Sequence, residues 1–375
     1  MRIAMVQPNM TSIGGAERVL SYVATRLARK EEVGIFTFRM GRETVPEYGP
    51  VQIHEITGRP SIRGRLRRYF QWRLMNKLAE EINKWRPDVV LLNQGIWLAD
   101  WLSSSMGKTP LIMYLHGTVE IEQARKKVDQ ISREKPHFLL RPYSNLVSRR
   151  RYTKVGLGLT RLVLCTSRYV EETAKGSWPG VSTRVIYNGV DHQRFFPIWE
   201  DEGYALCISR ISEEKNLKLL LRSFGSSGYP VLICGAISPP GDVFKMALLN
   251  ELMQLRGTVQ LEIDLDQGKL LERLQRCSVF LHPGVNEGFP LAVMEAMACG
   301  KAIVAHRSGG TIECLDRAGV LLGDDDDWRT TTDHLMGDVA LRRKMGEAAH
   351  SRSLNFDWNR TSSEVREACG SVVRK

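Results

Sequence analysis

The chain reads as an α/β protein built from two doubly wound, Rossmann-like domains. Three observations predict this. Short apolar runs alternate with longer amphipathic helical patterns along all 375 residues. Most of those runs are apolar at nearly every position, as strands of a parallel sheet covered on both faces must be. The alternation restarts near residue 204, after the polar stretch 196–203. The length also suits two domains, at roughly 100–200 residues each.

Taken in order, the strands of the first half are expected at 2–7, 33–38, 51–56, 88–92, 110–115 and 161–166. Those that follow are expected at 183–187, 204–209, 230–234, 258–263, 278–282, 302–305 and 320–322. The predicted division is a first domain over 1–187, a second over 188–355 and a final helix over 356–375, with the linker within 187–203. Ligands of such folds bind at the carboxyl ends of the strands. With two domains, the expected site is the cleft between them.

Composition narrows the class. Hydrophobic residues make up 43% and charged residues 25%, which excludes a collagen, a disordered tail protein and a small disulfide scaffold. No apolar stretch reaches the roughly 18 residues of a membrane-crossing helix. The opening MRIAMVQP lacks a signal-peptide core, so export by that route is not expected. The seven cysteines are odd in number, widely spaced and mostly inside apolar runs. They are expected to be reduced core residues in a reducing compartment.

The net charge of +11 is unevenly placed: +15 over residues 1–190 and −4 over 191–375. A basic first half suggests an anionic partner, a membrane surface or nucleic acid. Part of the excess lies in 59–75, RPSIRGRLRRYFQWRLM, and part in 125–161. The first interleaves cations with aromatics, as an interfacial membrane helix does. Its membrane-surface candidates are Arg63, Arg67, Arg68, Trp72 and Arg73. The alternative is a solvated helix whose Leu, Phe and Trp side chains face the core. No nucleic-acid motif accompanies the charge. The expected location is therefore cytoplasmic and peripheral on the inner membrane face, with no nucleic-acid partner.

Three motifs carry chemistry. Gly14-Gly15-Ala16-Glu17-Arg18-Val19 follows the first strand and opens a helix with Val19, Leu20, Val23, Ala24 and Leu27 at helical spacing. Paired glycines let backbone approach a ligand, and a helix start offers N–H groups to an anion. The third glycine of a dinucleotide fingerprint is missing, and no acidic residue closes strand 33–38, which argues against a nicotinamide enzyme. Arg210 and Lys215 follow strand 204–209. There they either clamp a pyrophosphate or pair at the surface with Glu213 and Glu214. The third motif is the most specific: His282-Pro-Gly-Val-Asn-Glu287-Gly288-Phe289-Pro290-Leu291, then Glu295 in the helix that follows, ending at Gly300. Two acids flanking one helix start suit the vicinal hydroxyls of a nucleotide sugar. A glutamate among the apolar residues of that helix is costly to bury without a partner.

From GGAERV through NGV, R-x4-K, E-G-F-x5-E-A-M-A-C-G and S-G-G, the chain resembles a family 4 glycosyltransferase of the GT-B fold over nearly its whole length. Asn188-Gly189-Val190-Asp191 resembles that family's interdomain sequence. Phe356-Asp357-Trp358-Asn359 resembles the entry to a last helix that returns to the first domain. The resemblance implies a first domain that binds the acceptor and a second that binds a nucleotide sugar. It implies that Arg210 and Lys215 neutralise a donor diphosphate, that Glu295 holds ribose hydroxyls, and that Glu287 sits near the transferred sugar. It places Gly14 and Gly15 at the phosphates or the acceptor pocket, and Gly288, Phe289, Pro290 and Leu291 in the donor site. His116, after strand 110–115, matches the family's active-site histidine. Gly309 and Gly310 match a loop near the second-domain site, followed by Glu313.

The sequence departs from the family at Pro290-Leu291, where Gly-Leu is frequent. The strings around His282 and His306 are similar to lipid-linked-oligosaccharide mannosyltransferases. The alternative is that both histidines bond backbone at strand ends. The resemblance implies sugar transfer with retention, from a GDP-mannose or UDP-sugar co-substrate, with no metal or other cofactor. The expected acceptor is lipid-linked or a glycan. A soluble acceptor and a non-catalytic nucleotide-sugar-binding protein are the rival expectations.

Overall fold

The computed structural model describes residues 1–11, 14–41, 49–56, 66–118, 121–122, 160–236, 243–254 and 258–374. It contains two units, Met1–Tyr187 with Trp358–Lys375, and Asn188–Asp357.

The strands of the first unit are β1 (Arg2–Val6), β2 (Glu32–Thr37), β3 (Gln52–Glu55), β4 (Val89–Asn93), β5 (Leu111–Leu115), β6 (Thr160–Cys165) and β7 (Thr183–Val185). All pairings are parallel, in the order β3-β2-β1-β4-β5-β6-β7. β4 and β5 are buried at every position, whereas the edge strand β3 is half exposed. That is the burial expected of a sheet covered on both faces, with exposure confined to its rim. The helix α1 (Gly15–Leu27) buries the five apolar positions its spacing predicts. In α2 (Leu66–Trp85), Leu78, Ala79, Ile82 and Trp85 are buried, and Leu74 and Met75 pack against the same core.

The last helix of the chain, Trp358–Val373, belongs to this first unit. Trp358 stacks on Tyr22 of α1 with ring centroids 4.7 Å apart. Thr361 Oγ1 donates to the Tyr187 carbonyl at 2.8 Å, and Arg366 pairs with Glu31.

The strands of the second unit are β8 (Ala205–Arg210), β9 (Val231–Ala236), β10 (Val259–Ile263), β11 (Val279–His282), β12 (Ala302–His306) and β13 (Val320–Leu322). They too are parallel, in the order β10-β9-β8-β11-β12-β13. All thirteen predicted strands are present among the described residues, displaced by at most two residues at either end. The seven cysteines are all buried and unbridged, as their apolar surroundings predict.

In each sheet the strand order reverses once, at β1/β4 in the first unit and at β8/β11 in the second. A doubly wound sheet opens a crevice at the carboxyl ends of its strands there, because successive crossovers go to opposite sides. Both clusters of candidate residues lie at these two places.

Candidate active site

In the second unit, β8 ends in Arg210 and β11 ends in His282. Between β8 and the helix Leu217–Phe224 runs a single 3₁₀ turn, Glu213–Lys215, closed by Asn216 at φ 49°. The tight turn folds the chain back and brings Lys215 over the β11 loop. Lys215 Nζ stands 2.5 Å from Glu287 Oε1, and His282 Nε2 stands 3.3 Å from the same oxygen. Lys215 and Glu287 are each only 14% exposed. Burial works to raise the Glu287 pKa, but the Lys215 ammonium and His282 outweigh it and hold the carboxyl well below the usual range. Glu287 is thus a fixed acceptor of hydrogen bonds, not a proton donor, at neutral pH.

Backbone bonds pin this loop from three sides. Val285 N donates to the Glu214 carbonyl at 3.0 Å, Gly310 N to the Glu287 carbonyl at 2.7 Å, and Asn188 Nδ2 to the Phe289 carbonyl at 3.2 Å. The N-G-V and S-G-G motifs therefore both hold the E-G-F segment. Gly284 is needed for space: a Cβ there would lie 2.7 Å from Glu287 Oε1.

The helix Leu291–Ala298 follows, started by Pro290 and surrounded by core. Glu295 lies in it, 7% exposed, between Met294 and Ala296, which are fully buried. The helix ends in a Schellman arrangement. Gly300, at φ 66°, donates to the Met297 carbonyl, and Lys301 donates to that of Ala296. That explains the terminal glycine of the motif as a helix stop.

Arg210 does not join Lys215. Its side chain is half exposed and pairs with Glu214 at 3.4 Å, the surface pairing that the sequence left open. His282 and His306 make no hydrogen bond to backbone among the described residues. His306 Nε2 lies 3.3 Å from Asp324 Oδ1, an oxygen that accepts from Asn216 Nδ2 at 3.0 Å.

The first unit has its own polar cluster at the β1/β4 crevice. Three strands end in polar residues: Gln7 after β1, Asn93 closing β4 and His116 after β5. Asn93 Nδ2 donates to Gln7 Oε1 at 2.7 Å and to the Ala16 carbonyl at 3.2 Å. His116 Nε2 lies 2.7 Å from Asn93 Oδ1. Gln7 Nε2 faces Glu17 Oε1 at 2.9 Å, and Glu17 Oε2 accepts the Gly14 N–H at 3.1 Å. A Cβ at Gly14 would sit 2.6 Å from that oxygen, so the motif's glycine makes room for its glutamate. This N–H, counted in the sequence as an open donor, is engaged by Glu17. Burial pushes the His116 pKa down to about 3, so the ring is neutral at physiological pH.

The profile of Glycosyltransferase Family 4 matches residues 13–194, and that of Glycosyl transferases group 1 matches residues 191–352. The chain belongs to glycosyltransferase family 4. Among relatives of this glycosyltransferase, the D-inositol 3-phosphate glycosyltransferase of Salinispora arenicola is 25% identical over 412 residues, 98% of this chain and 89% of that protein. The N,N'-diacetylbacillosaminyl-diphospho-undecaprenol alpha-1,3-N-acetylgalactosaminyltransferase of Campylobacter jejuni is 34% identical over 99 residues, 24% of this chain and 25% of that one. The crystal structure of Anabaena Alr3699/HepE in complex with UDP-glucose superposes with a TM-score of 0.77 at 18% identity, covering 99% of this chain and 100% of that one. At that identity the likeness concerns the fold, GT-B.

In this family 4 glycosyltransferase Gln7 and Asn93 belong to no sequence motif. The signal was their position: each stands at the carboxyl end of a strand beside the crevice. Of the membrane-surface candidates, Arg73 is exposed. Arg63 and the side chains of Arg67, Arg68 and Trp72 lie outside the described residues, as does segment 125–159. Leu74 packs inward, as the solvated-helix alternative requires. Among the described residues no helix is long and apolar enough to cross a membrane.

Proposed function

We propose that this chain is a retaining hexosyltransferase that moves a sugar from a nucleotide diphosphate sugar to a lipid-linked or glycan acceptor at a membrane surface, with mannose as the sugar. The observation that carries the reading is the Lys215–Glu287–His282 cluster at the ends of β8 and β11. A fixed carboxylate suits sugar hydroxyls, and a cation beside it suits the diphosphate. In this scheme Arg210 and Lys215 stabilise the charge that grows on the leaving diphosphate, so the step needs no metal. The Arg210–Glu214 pair is exposed and worth under about 1 kcal/mol, so an incoming diphosphate exchanges for it at little cost. Attack comes from the face the leaving group departs, and the diphosphate takes the acceptor proton. Glu295 holds the ribose hydroxyls, Gly14 and Gly15 border the phosphates or the acceptor, and His116 bonds the donor sugar.

Calorimetry with UDP, GDP, ADP and CMP tests the donor part. One nucleotide should bind wild type and bind at least about 10-fold more weakly to Glu295→Ala, the loss of two hydroxyl contacts at roughly 1 kcal/mol each. Binding of GDP supports mannose; binding of UDP overturns it. A UDP-sugar donor with a soluble acceptor is the second reading. It is favoured by the UDP-glucose named for HepE and the inositol phosphate named for the Salinispora relative. The undecaprenol diphosphate named for the Campylobacter relative favours the lipid-linked acceptor.

Flotation with anionic liposomes at low salt tests the membrane part. Replacing Arg67, Arg68 and Arg73 together with Ser should reduce binding strongly, each cation contributing about 1 kcal/mol near an anionic leaflet. Donor affinity should stay unchanged. A parallel fall in both would make the segment structural, and no flotation of wild type would sink the membrane assignment.

A further inference from the structure

The amide orientations in the first-unit cluster are fixed by groups that can only accept hydrogen bonds. Gln7 Nε2 faces the Glu17 carboxylate at 2.9 Å and the Asn9 backbone carbonyl at 3.3 Å. The carboxylate and the backbone carbonyl cannot donate, so the nitrogen of that amide points at them, with Gln94 Oε1 a third acceptor at 3.1 Å, and Oε1 points away, toward Asn93. Asn93 is constrained independently. The Ala16 carbonyl, 3.2 Å from Asn93 Nδ2, also accepts only, and Gln7 Oε1 lies 2.7 Å from the same nitrogen. The Asn93 oxygen therefore faces His116 Nε2, at 2.7 Å. An oxygen acceptor at that distance requires a hydrogen on Nε2. His116 is neutral, so its one ring hydrogen is there, and Nδ1 carries a lone pair. Nδ1 is buried and has no hydrogen-bond partner among the described residues. Asn93 itself is fully buried at the end of β4, just before a turn where Gln94 and Gly95 both have positive φ, 72° and 87°. That turn sets the amide against β1 and the first turn of α1.

We propose that Asn93 is a positioning residue that locks His116 in the Nε2–H tautomer and leaves Nδ1 as an acceptor for a substrate hydroxyl. The chain of donors runs one way, from the imidazole through Asn93 and Gln7 to the Glu17 carboxylate. Which ring nitrogen of a histidine is free to act is set by the bond its other nitrogen makes. The recognised group is thus an O–H donor, such as a sugar hydroxyl, and not an anionic oxygen. The inference about substrate rests on the placement of His116 at the donor sugar proposed above; the tautomer assignment does not.

Two-bond ¹H–¹⁵N correlation spectra of histidine-labelled full-length protein test it, with the His116 signals assigned from a His116→Gln sample. Wild type should show a protonated Nε2 and an unprotonated Nδ1. Asn93→Leu should give a mixture of tautomers, and Asn93→Asp, which keeps the acceptor, should keep Nε2 protonated. In Asn93→Leu, kcat should fall about 10- to 100-fold, the equivalent of one misdirected buried hydrogen bond, with nucleotide affinity unchanged. Protonated Nδ1 in wild type overturns the proposal even if no Asn93 variant folds. So does an Asn93→Leu spectrum identical to wild type. A shifted tautomer with wild-type kcat leaves the Asn93 assignment standing and counts against His116 at the donor sugar.

Discussion

Lys215→Met lowers kcat/KM by about 10²–10³, the loss that follows removal of one preorganised charge from a developing anion. It also destabilises the second unit by about 3 kcal/mol. The stability loss arises because Glu287 keeps its charge in a mostly buried position after losing the ammonium, with His282 left beside it. The double variant Lys215→Met, Glu287→Gln separates the two effects. It removes the stranded charge, so thermal stability returns most of the way, while activity stays low. The pH dependence follows from the direction of the Glu287 shift. A carboxyl whose folded pKa is depressed contributes stability above its ordinary range and loses it as pH falls through the folded value. Lys215→Met shrinks the depression, so the variant unfolds at a higher pH on acid titration than wild type. Denaturation followed by circular dichroism, with and without the second substitution, reads this directly. A single variant as stable as wild type would mean that Glu287 is solvated and that the cluster does not hold it.

His116→Gln slows transfer by about 10²–10³ while leaving nucleotide affinity intact, since the histidine is assigned to the sugar and not to the nucleotide. The comparison is turnover of the donor against calorimetric affinity for the nucleotide alone. Full turnover in the variant would remove the residue from the mechanism. The same substitution has a signature in stability. With a folded pKa of about 3 against 6.5 in the unfolded chain, wild-type His116 is neutral when folded and protonated when unfolded between those values. Its contribution is fully present above pH 6.5 and drains away as pH falls toward 3. Between pH 6.5 and 5 that is at most about 2 kcal/mol, from 1.36 kcal/mol per unit. His116→Gln should lose correspondingly less stability than wild type when acidified from pH 7 to 5. For the same reason an ionisation near pH 6–7 in the rate profile would not belong to His116.

Much of the candidate site was legible because its parts are local. Glu287, Glu295 and Gly300 lie within one loop–helix segment, where residue types at fixed spacing dictate a turn, a buried helix and its stop. The Val19, Leu20, Val23, Ala24 and Leu27 face of α1 was equally plain, because helical periodicity is a property of neighbours in sequence. The sequence is silent where a side chain's partner comes from another strand. Arg210 and Lys215 look alike on the page, as two cations five positions apart. The 3₁₀ turn at Glu213–Lys215 sends one to Glu287 and leaves the other with Glu214 at the surface. Gln7 and Asn93 are 86 positions apart and bear no motif.

By itself the sequence determined the class of fold, the positions of its strands along the chain and the segment that carries the acids. Those follow from apolar runs, helical spacing and glycines at turns, each an energy that neighbouring residues settle among themselves. Only the tertiary structure decided which charges pair, which amides face which way, and which nitrogen of His116 is left to act. These depend on the strand order of two parallel sheets, which places Asn93 beside Gln7 and Lys215 beside Glu287. In a buried site each unmatched donor or acceptor costs about 1–3 kcal/mol, so the packing of the strands fixes the chemistry of the groups at their ends.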